Sequence, residues 1–378
     1  MNFMRKGNMK EKLVIIGAND FQNQIILKAK EMNYETHVFA WKENAIGKET
    51  SDYFYPIDIK NKEEILMECK KIKPIGVCSI ASDLAVNTVD YISRNLGLTA
   101  NSEISNLYCT NKYEMRKQLK KCNIKVPHFE KVDSIDKLNY NEFKFPLIIK
   151  PTDRSGSRGV TKVYKKDECD NAIRRAISES FEKMAIVEEY IDGEEYSCEC
   201  ISYKCQHYFL AFTKKYTTGK PYFIETGHSQ PSDIKKEFYL KIQKEIFKAL
   251  DALKIENGAS HTEFKLDKQG NIRIIEIGAR GGGDCISSDL VKLSTGYDFL
   301  KMIIDVSCGK KPNFIKCNDL QKVYIKFIFS QQDLEELENI KNDMHYKIYR
   351  ISNMNLENIG KIKDSSSRVG YYIYTIND

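Results

Sequence analysis

No run of about 18 apolar residues occurs in this chain, and its first residues, MNFMRKGNMKEK, hold no apolar stretch of leader length. Membrane-spanning helices and secretion are set aside, and a soluble cytoplasmic protein is expected. The 11 cysteines are odd in number, scattered and mostly embedded in apolar runs. Neither a CxxC pair nor a Cys/His cluster of zinc spacing occurs, since Cys198 and Cys200 lie two apart on one predicted strand. This excludes a zinc site and a disulfide framework, and reduced thiols are expected. Charge of one sign is scarcely in excess, with 59 Lys+Arg against 53 Asp+Glu, interspersed and without a basic arm. That argues against nucleic acid or a membrane surface as partner. Also missing are GxGxxG, the GxxxxGK[ST] phosphate loop, any nucleophile signature, internal repeats and low-complexity segments.

Apolar residues are present in quantity, 42% of 378, enough to bury two or three domains or lobes. Residues 12–100 alternate the buried-type strands KLVIIGA, ETHVFA and IGVCSI with predicted helices over Phe21–Met32, Lys62–Lys71 and Leu84–Asn95. Such a β-α-β-α order implies an open parallel sheet. Helices over Ser102–Cys109 and Lys112–Cys122 lead to NIKVPHF, after which the apolar period changes from helical to alternating. FPLIIKP is a strand ending at Lys150-Pro151, and VTKVY returns after the loop TDRSGSRG. A helix over Asp167–Glu182 precedes AIVEEYIDGEEYSCECISY, a strand broken at Asp192-Gly193 and then resumed. Helices are expected over Asp233–Ala252, Asp284–Leu293 and Tyr297–Cys308, and KVYIKFIF, YKIYRIS and GYYIYTI with one helix suggest a small α/β cap.

The stretch ASHTEFKLDKQGNIRIIEIGARGGGD reads as a hairpin with one carboxylate on each arm, Glu263 and Glu276. With Asp267-Lys268-Gln269-Gly270 as the turn, the simplest register sets Glu263 opposite Ile274 and leaves Glu276 a diagonal neighbour on the same face, ~7–8 Å away. Two convergent carboxylates suit Mg2+; an ordinary hairpin with two solvated glutamates is the alternative. In the loop Thr152–Gly159, Gly156 and Gly159 let the backbone bend around an anion while Ser155, Ser157 and Arg158 offer donors. A surface hairpin explains the same composition. Glu188, Glu189, Glu194 and Glu195 read either as a solvated acidic patch or as the surroundings of a strand edge that binds an adenine. His261 beside Glu263 suggests packing or support, and Gly281-Gly282-Gly283 suggest an amide nest or the turn before a helix capped by Asp284 or Ser287.

In their order, NKYEMRKQLKKCNIKVPHF, FPLIIKPTDRSGSRGV, IVEEYIDGEEYSCE, ETGHSQPS and HTEFKLDKQGNIRIIEIGARGGGD resemble the ATP-grasp superfamily over residues 12–312. The last two motifs are most similar to the L-amino-acid ligase branch of carboxylate-amine ligases. The resemblance implies an α/β fold of three lobes: an amino-terminal open parallel lobe (1–110), then an ATP-grasp domain (111–312) made of a small lid lobe (about 125–190) and a carboxy-terminal antiparallel-sheet lobe, followed by the cap (313–378). It implies that Lys112 and Lys150 contact ATP phosphates and that Ser155, Gly156, Ser157, Arg158 and Gly159 form a mobile phosphate loop. Glu188, Glu189, Tyr190 and Ile191 correspond to the adenine hinge, and Glu195 to the ribose carboxylate. Glu263 and Glu276 correspond to ligands of Mg2+, with Mn2+ an alternative, and Arg280 to the arginine facing the transferred phosphate. Glu225, His228, Gly281 and Gly282 fall where substrates are held, and His228 can bind a carboxylate or relay a proton, unless it is structural.

The chain departs from the family pattern E-x-N-x-R at one position, reading Glu276-Ile277-Gly278-Ala279-Arg280. Gly278 offers no side-chain ligand, so water or another carboxylate such as Glu225 is expected there. The implied activity joins a carboxylate and an amine through an acyl phosphate at the expense of ATP, with an amino acid as at least one substrate and a homodimer as the family habit. An ATP-grasp carboxylase, a carboxylate-thiol ligase and a non-catalytic ATP-binding regulator are the alternatives.

Overall fold

The computed structural model describes residues 10–219, 223–317, 320–361 and 364–376. The first nine residues, on which the leader reading rests in part, lie outside the described residues. The amino-terminal lobe runs β1 (Lys12–Ile16), α1 (Asp20–Glu31), β2 (Glu35–Phe39), α2 (Gly47–Thr50), β3 (Tyr53–Tyr55), α3 (Lys62–Ile72), β4 (Gly76–Cys78) and α4 (Asp83–Asn95). Its four strands form a sheet of order β3-β2-β1-β4 with every pairing parallel, as the alternating pattern implied. Strand β3 was not anticipated, because its three residues stand in no aliphatic run, whereas the equally short β4 lies within IGVCSI. Helix α1 begins where expected because Asn19 and Gln22 exchange side-chain and backbone hydrogen bonds in a capping box.

Helices α5 (Glu103–Thr110) and α6 (Lys112–Lys121) lead to the lid lobe, β5 (Phe129–Val132), β6 (Leu147–Pro151), β7 (Thr161–Val163), α7 (Cys169–Glu179) and β8 (Ala185–Glu189). These strands form an antiparallel sheet of order β5-β8-β6-β7, whose inner face buries Leu147, Ile149, Val163 and Val187 with Ile173 and Ala176 of α7. The chain then enters β9 (Glu194–Tyr203) through Gly193, whose φ of +123° is open only to glycine and whose Cβ would lie 2.7 Å from the Leu266 carbonyl oxygen.

The third lobe comprises β10 (Gln206–Thr217), β11 (Glu225–Gln230), α8 (Tyr239–Ala252), β12 (Gly258–Leu266), β13 (Ile272–Gly278), α9 (Val291–Thr295), α10 (Phe299–Ser307), β14 (Val323–Ile328), α11 (Gln331–Asn342), β15 (Tyr346–Ile351) and β16 (Gly370–Ile376). Eight strands make one antiparallel sheet, β13-β12-β9-β10-β11-β14-β16-β15. The three strands read as a cap therefore continue this sheet: β14 pairs with β11 along His228↔Ile325, which completes an edge that would otherwise be open. The helix expected over Asp284–Leu293 also differs. Asp284 and Cys285 are both left-handed, with φ of 53° and 58°, and a π-type turn over Ile286–Leu290 precedes α9. Asp284 does not cap a helix because its carboxylate accepts from Arg368 and meets His228.

Candidate functional site

Two shifts in the β12/β13 hairpin decide its chemistry. The turn places Leu266 opposite Ile272, one residue beyond the simplest register, with Gly270 in the left-handed conformation at φ +71°. That shift alone would turn Glu276 away from Glu263. A bulge at Ile275 adds the second shift, so that Phe264 pairs with Ile274 but Glu263 pairs with Glu276. The two carboxylates are directly opposite rather than diagonal, with Cβ atoms ~4.5–5.5 Å apart. The bulged Ile275 turns its carbonyl to the guanidinium of Arg116 at 2.7 Å.

Both glutamates line a cleft between the lid and the large sheet. Its floor is strongly ionised. Glu188, 3% exposed, lies between Lys150 at 2.7 Å and Arg116 at 2.6 Å. Burial opposes its charge, but Arg116 and Lys150 outweigh that and hold its carboxyl at about 2. Burial, with Arg116 and Lys112 close by, lowers the Lys150 ammonium although Glu188 opposes the shift. Lys112 donates to Glu276 at 2.8 Å and to the Arg154 carbonyl at 2.7 Å. Three buried cations, Lys112, Arg116 and Lys150, thus converge with Glu188 and Glu276 on the floor of the cleft.

Lys215 on β10 is buried among three carboxylates, Glu263 at 3.0 Å, Glu195 at 3.1 Å and Glu225 at 3.7 Å. Burial disfavours its charge, but those carboxylates raise its pKa well above the ordinary value. His261 bridges the fully buried Glu199 and Glu263, and the Glu199 and Glu263 carboxylates overcome burial to lift it to about 9. Glu263 and Glu276 are hard oxygen donors on one face of a rigid hairpin, and each already attracts a cationic side chain. Such a pair fits Mg2+ or Mn2+.

A family model described as an ATP-grasp domain matches residues 143–289. The chain has the ATP-grasp fold. It is 26% identical over 312 residues to the alanine–anticapsin ligase of Bacillus subtilis, covering 73% of this chain and 65% of that protein. It thus spans just under two thirds of that relative's length. Among solved structures, an L-amino acid ligase from Bacillus licheniformis superposes with a TM-score of 0.78 at 22% identity, over 98% of this chain and 94% of that one. A phosphoribosylglycinamide synthetase from Anaerococcus prevotii gives 0.74 at 22% identity, over 98% and 95%. At these identities the structural likeness concerns the fold.

Within this ATP-grasp fold, the structure brings most of the anticipated residues to one cleft. Lys112, Lys150, Ser155, Gly156 and Ser157 line it, as do the segment Glu188–Ile191 and Glu195, Glu225, Glu263, Glu276 and Arg280. Glu188 does not lie on a free strand edge, because β8 is paired with both β5 and β6 at that residue, and its side chain is an ion-pair partner in the floor. The solvated-patch alternative also fails for Glu188, though Glu194 is exposed. Tyr190 sits between two ammonium groups, Lys162 at 3.1 Å and Lys265 at 4.4 Å from its ring centroid.

Other anticipated residues lie off the cleft wall. Arg158 and Gly159 are not among its lining residues, and Gly159 packs beneath the loop against Pro151 and Glu179. His228 is 1% exposed on β11, with Nε2 3.1 Å from Asp284. The amide of Gly282 does not form an open nest because it donates to Glu199 at 3.1 Å, and the Gly281 carbonyl accepts from Ala81. The sequence reading missed Asp83, Arg116, Arg154, Lys215 and Glu199. Arg116 is one helical turn after Lys112 and so was accessible to helical spacing. Lys215 and Glu199 reach the site only through sheet pairing and carry no local signal.

Proposed function

We propose that this protein is an ATP-dependent, ADP-forming carboxylate-amine ligase that makes an amide or peptide bond, with an amino acid as at least one substrate. The cleft supports this reading through one observation above others: a cross-strand pair of glutamates beside the buried cations Lys112, Arg116 and Lys150, the equipment for binding a polyphosphate and moving its terminal phosphoryl group. The relatives named as ligases support the choice of acceptor.

A carboxylate resists an amine because its carbon is shielded by charge and oxide is a poor leaving group. In the proposed reaction a substrate carboxylate oxygen attacks the γ-phosphorus of ATP in line, and the bond to ADP breaks. The amine then attacks the acyl carbon, phosphate leaves with the electron pair, and the amine proton passes to the released phosphate or solvent. Lys150, Lys112 and Arg116 bind the phosphates as fixed charges, and Arg280 faces the transferred group. Ser155, Gly156 and Ser157 cover it and exclude water. Tyr190 and Ile191, with Ile148 and Ile275 as apolar walls, hold the base, and Glu195 holds the ribose. Glu263 and Glu276 would hold Mg2+, which supplies charge neutralisation at the phosphoryl oxygens when bound. Glu225 borders the acceptor side, whereas His228, buried on the same strand, acts only through its contact with Asp284. The reading includes a cytoplasmic homodimer acting on small molecules, checked by sedimentation.

The test is phosphate release from ATP across a panel of amino acids and other carboxylates, with mass spectrometry of products. Amide formation with stoichiometric ADP is expected. ATP binding without turnover by any pair would refute the ligase reading, and ADP formation with bicarbonate or a thiol alone would reassign the acceptor.

A further inference from the structure

Gly278 has no positive φ, so its lack of a side chain is not a demand of the backbone. The space beside it is tight. A Cβ there would lie 3.0 Å from Oδ1 of Asp83 and 3.3 Å from Nε of Arg280. Asp83 is 197 positions away in sequence from Arg280, at the first turn of α4 in the amino-terminal lobe, yet its carboxylate takes Arg280 side-on, Nε to Oδ1 at 2.8 Å and Nη2 to Oδ2 at 3.3 Å. A third bond runs from Nη1 to the Gly281 carbonyl at 3.3 Å. Of the about five N–H groups of a guanidinium, three are thereby committed to holding its plane. Both side chains are largely buried, 16% and 15% exposed, and both line the cleft.

The same two loops meet again where the Ala81 amide donates to the Gly281 carbonyl at 3.2 Å. The amino-terminal lobe therefore grips the end of β13 at two points. Ser82 caps α4 by accepting from the Ala85 amide, which fixes the start of the helix on which Asp83 stands.

We propose that Asp83 is a positioning residue, which orients Arg280 over the Glu263/Glu276 platform from the amino-terminal lobe, and that Gly278 is glycine because the Asp83 carboxylate occupies the space beside it. The three residues form one device: a methyl group at 278 fits only if the Asp83 carboxylate or the Arg280 side chain gives way by a few tenths of an ångström, which shifts the pair that holds the guanidinium. This rests on the ligase reading for its kinetic consequence but not for its geometry.

The variants are Asp83→Asn, Gly278→Ala and the two combined. Each single change is expected to lower kcat by about 10²-fold, the usual loss for one preorganised electrostatic contact, with KM for ATP altered less than about threefold because uniform nucleotide binding is untouched. The double variant is expected within about twofold of the worse single one, since both remove the same contact. Peptide-resolved labelling by phenylglyoxal supplies a readout independent of turnover: Arg280 should react several-fold faster in each variant than in the unaltered protein. Asp83→Glu, which retains the charge, should keep labelling slow. Unchanged labelling of Arg280 in Asp83→Asn, a silent Gly278→Ala, or losses that multiply in the double variant would each overturn the proposal. If the unaltered protein turns over no substrate pair, the ligase reading fails while the labelling still decides the role of Asp83.

Discussion

Glu188 is the group whose loss the structure prices most directly. Replacing it by glutamine keeps the volume but leaves Lys150 and Arg116 buried without their shared anion. The fall of its carboxyl from 4.5 to about 2 corresponds to roughly 3 kcal/mol, at about 1.36 kcal/mol per tenfold change in proton affinity. The ~3–5 kcal/mol seen when one partner of a buried ion pair is removed agrees. Because the folded value is depressed, the stabilisation is fully present above about pH 4.5 and is lost as pH falls through about 2. Urea unfolding, with hydrogen exchange read on β6 and β8, should show Glu188→Gln weaker than the unaltered protein by about 3–5 kcal/mol at pH 7, the gap narrowing below pH 4.5. An ATP analogue should stabilise the variant more than the unaltered protein, since the polyphosphate becomes the anion for both cations. A gap below about 1 kcal/mol at pH 7, or one that does not change between pH 7 and pH 3, would refute the reasoning.

Glu276→Gln removes one charge from the paired carboxylates and is expected to reduce kcat by about 10²- to 10³-fold; steady-state kinetics with an unchanged kcat would sink the assignment. Arg154 lines the cleft and stacks on Phe181 at 4.4 Å, whereas Arg158 does not line it, so Arg154→Ala should raise KM for ATP more than Arg158→Ala, and the opposite order would return the phosphate contact to Arg158. Lys215→Met leaves Glu195, Glu225 and Glu263 without their common cation, so the melting temperature should fall without Mg2+ and gain more from adding it than the unaltered protein does. Gly193→Ala forces a side chain into a φ of +123° and onto the Leu266 carbonyl, and a loss of about 1–3 kcal/mol in unfolding experiments is expected.

The amino-terminal lobe was legible because parallel strands buried on both faces read as continuous apolar runs, and amphipathic helices of 11 to 13 residues carry several turns of pattern. Strand β3 was not, because its three residues stand in no aliphatic run. Most of the cleft residues were legible because lysine, the glycine loop and the paired glutamates sit in local motifs. Arg116 and Arg154 sit within the local motifs and were passed over, whereas three residues escaped because their role depends on long-range contact: Asp83 with Arg280, Lys215 with three carboxylates, and Glu199 with His261.

The sequence by itself determined the order of elements, the alternation that puts Glu263 and Glu276 on one face, and the absence of any side chain at Gly278. Parity survives an error of two residues, so the shared face was right while the register was wrong. Only the tertiary structure decided how the carboxylates meet, because the turn shift and the bulge at Ile275 depend on packing that no local propensity encodes. It also decided what fills the space at Gly278. A glycine specifies room and nothing about its occupant, and the occupant, Asp83, comes from another lobe.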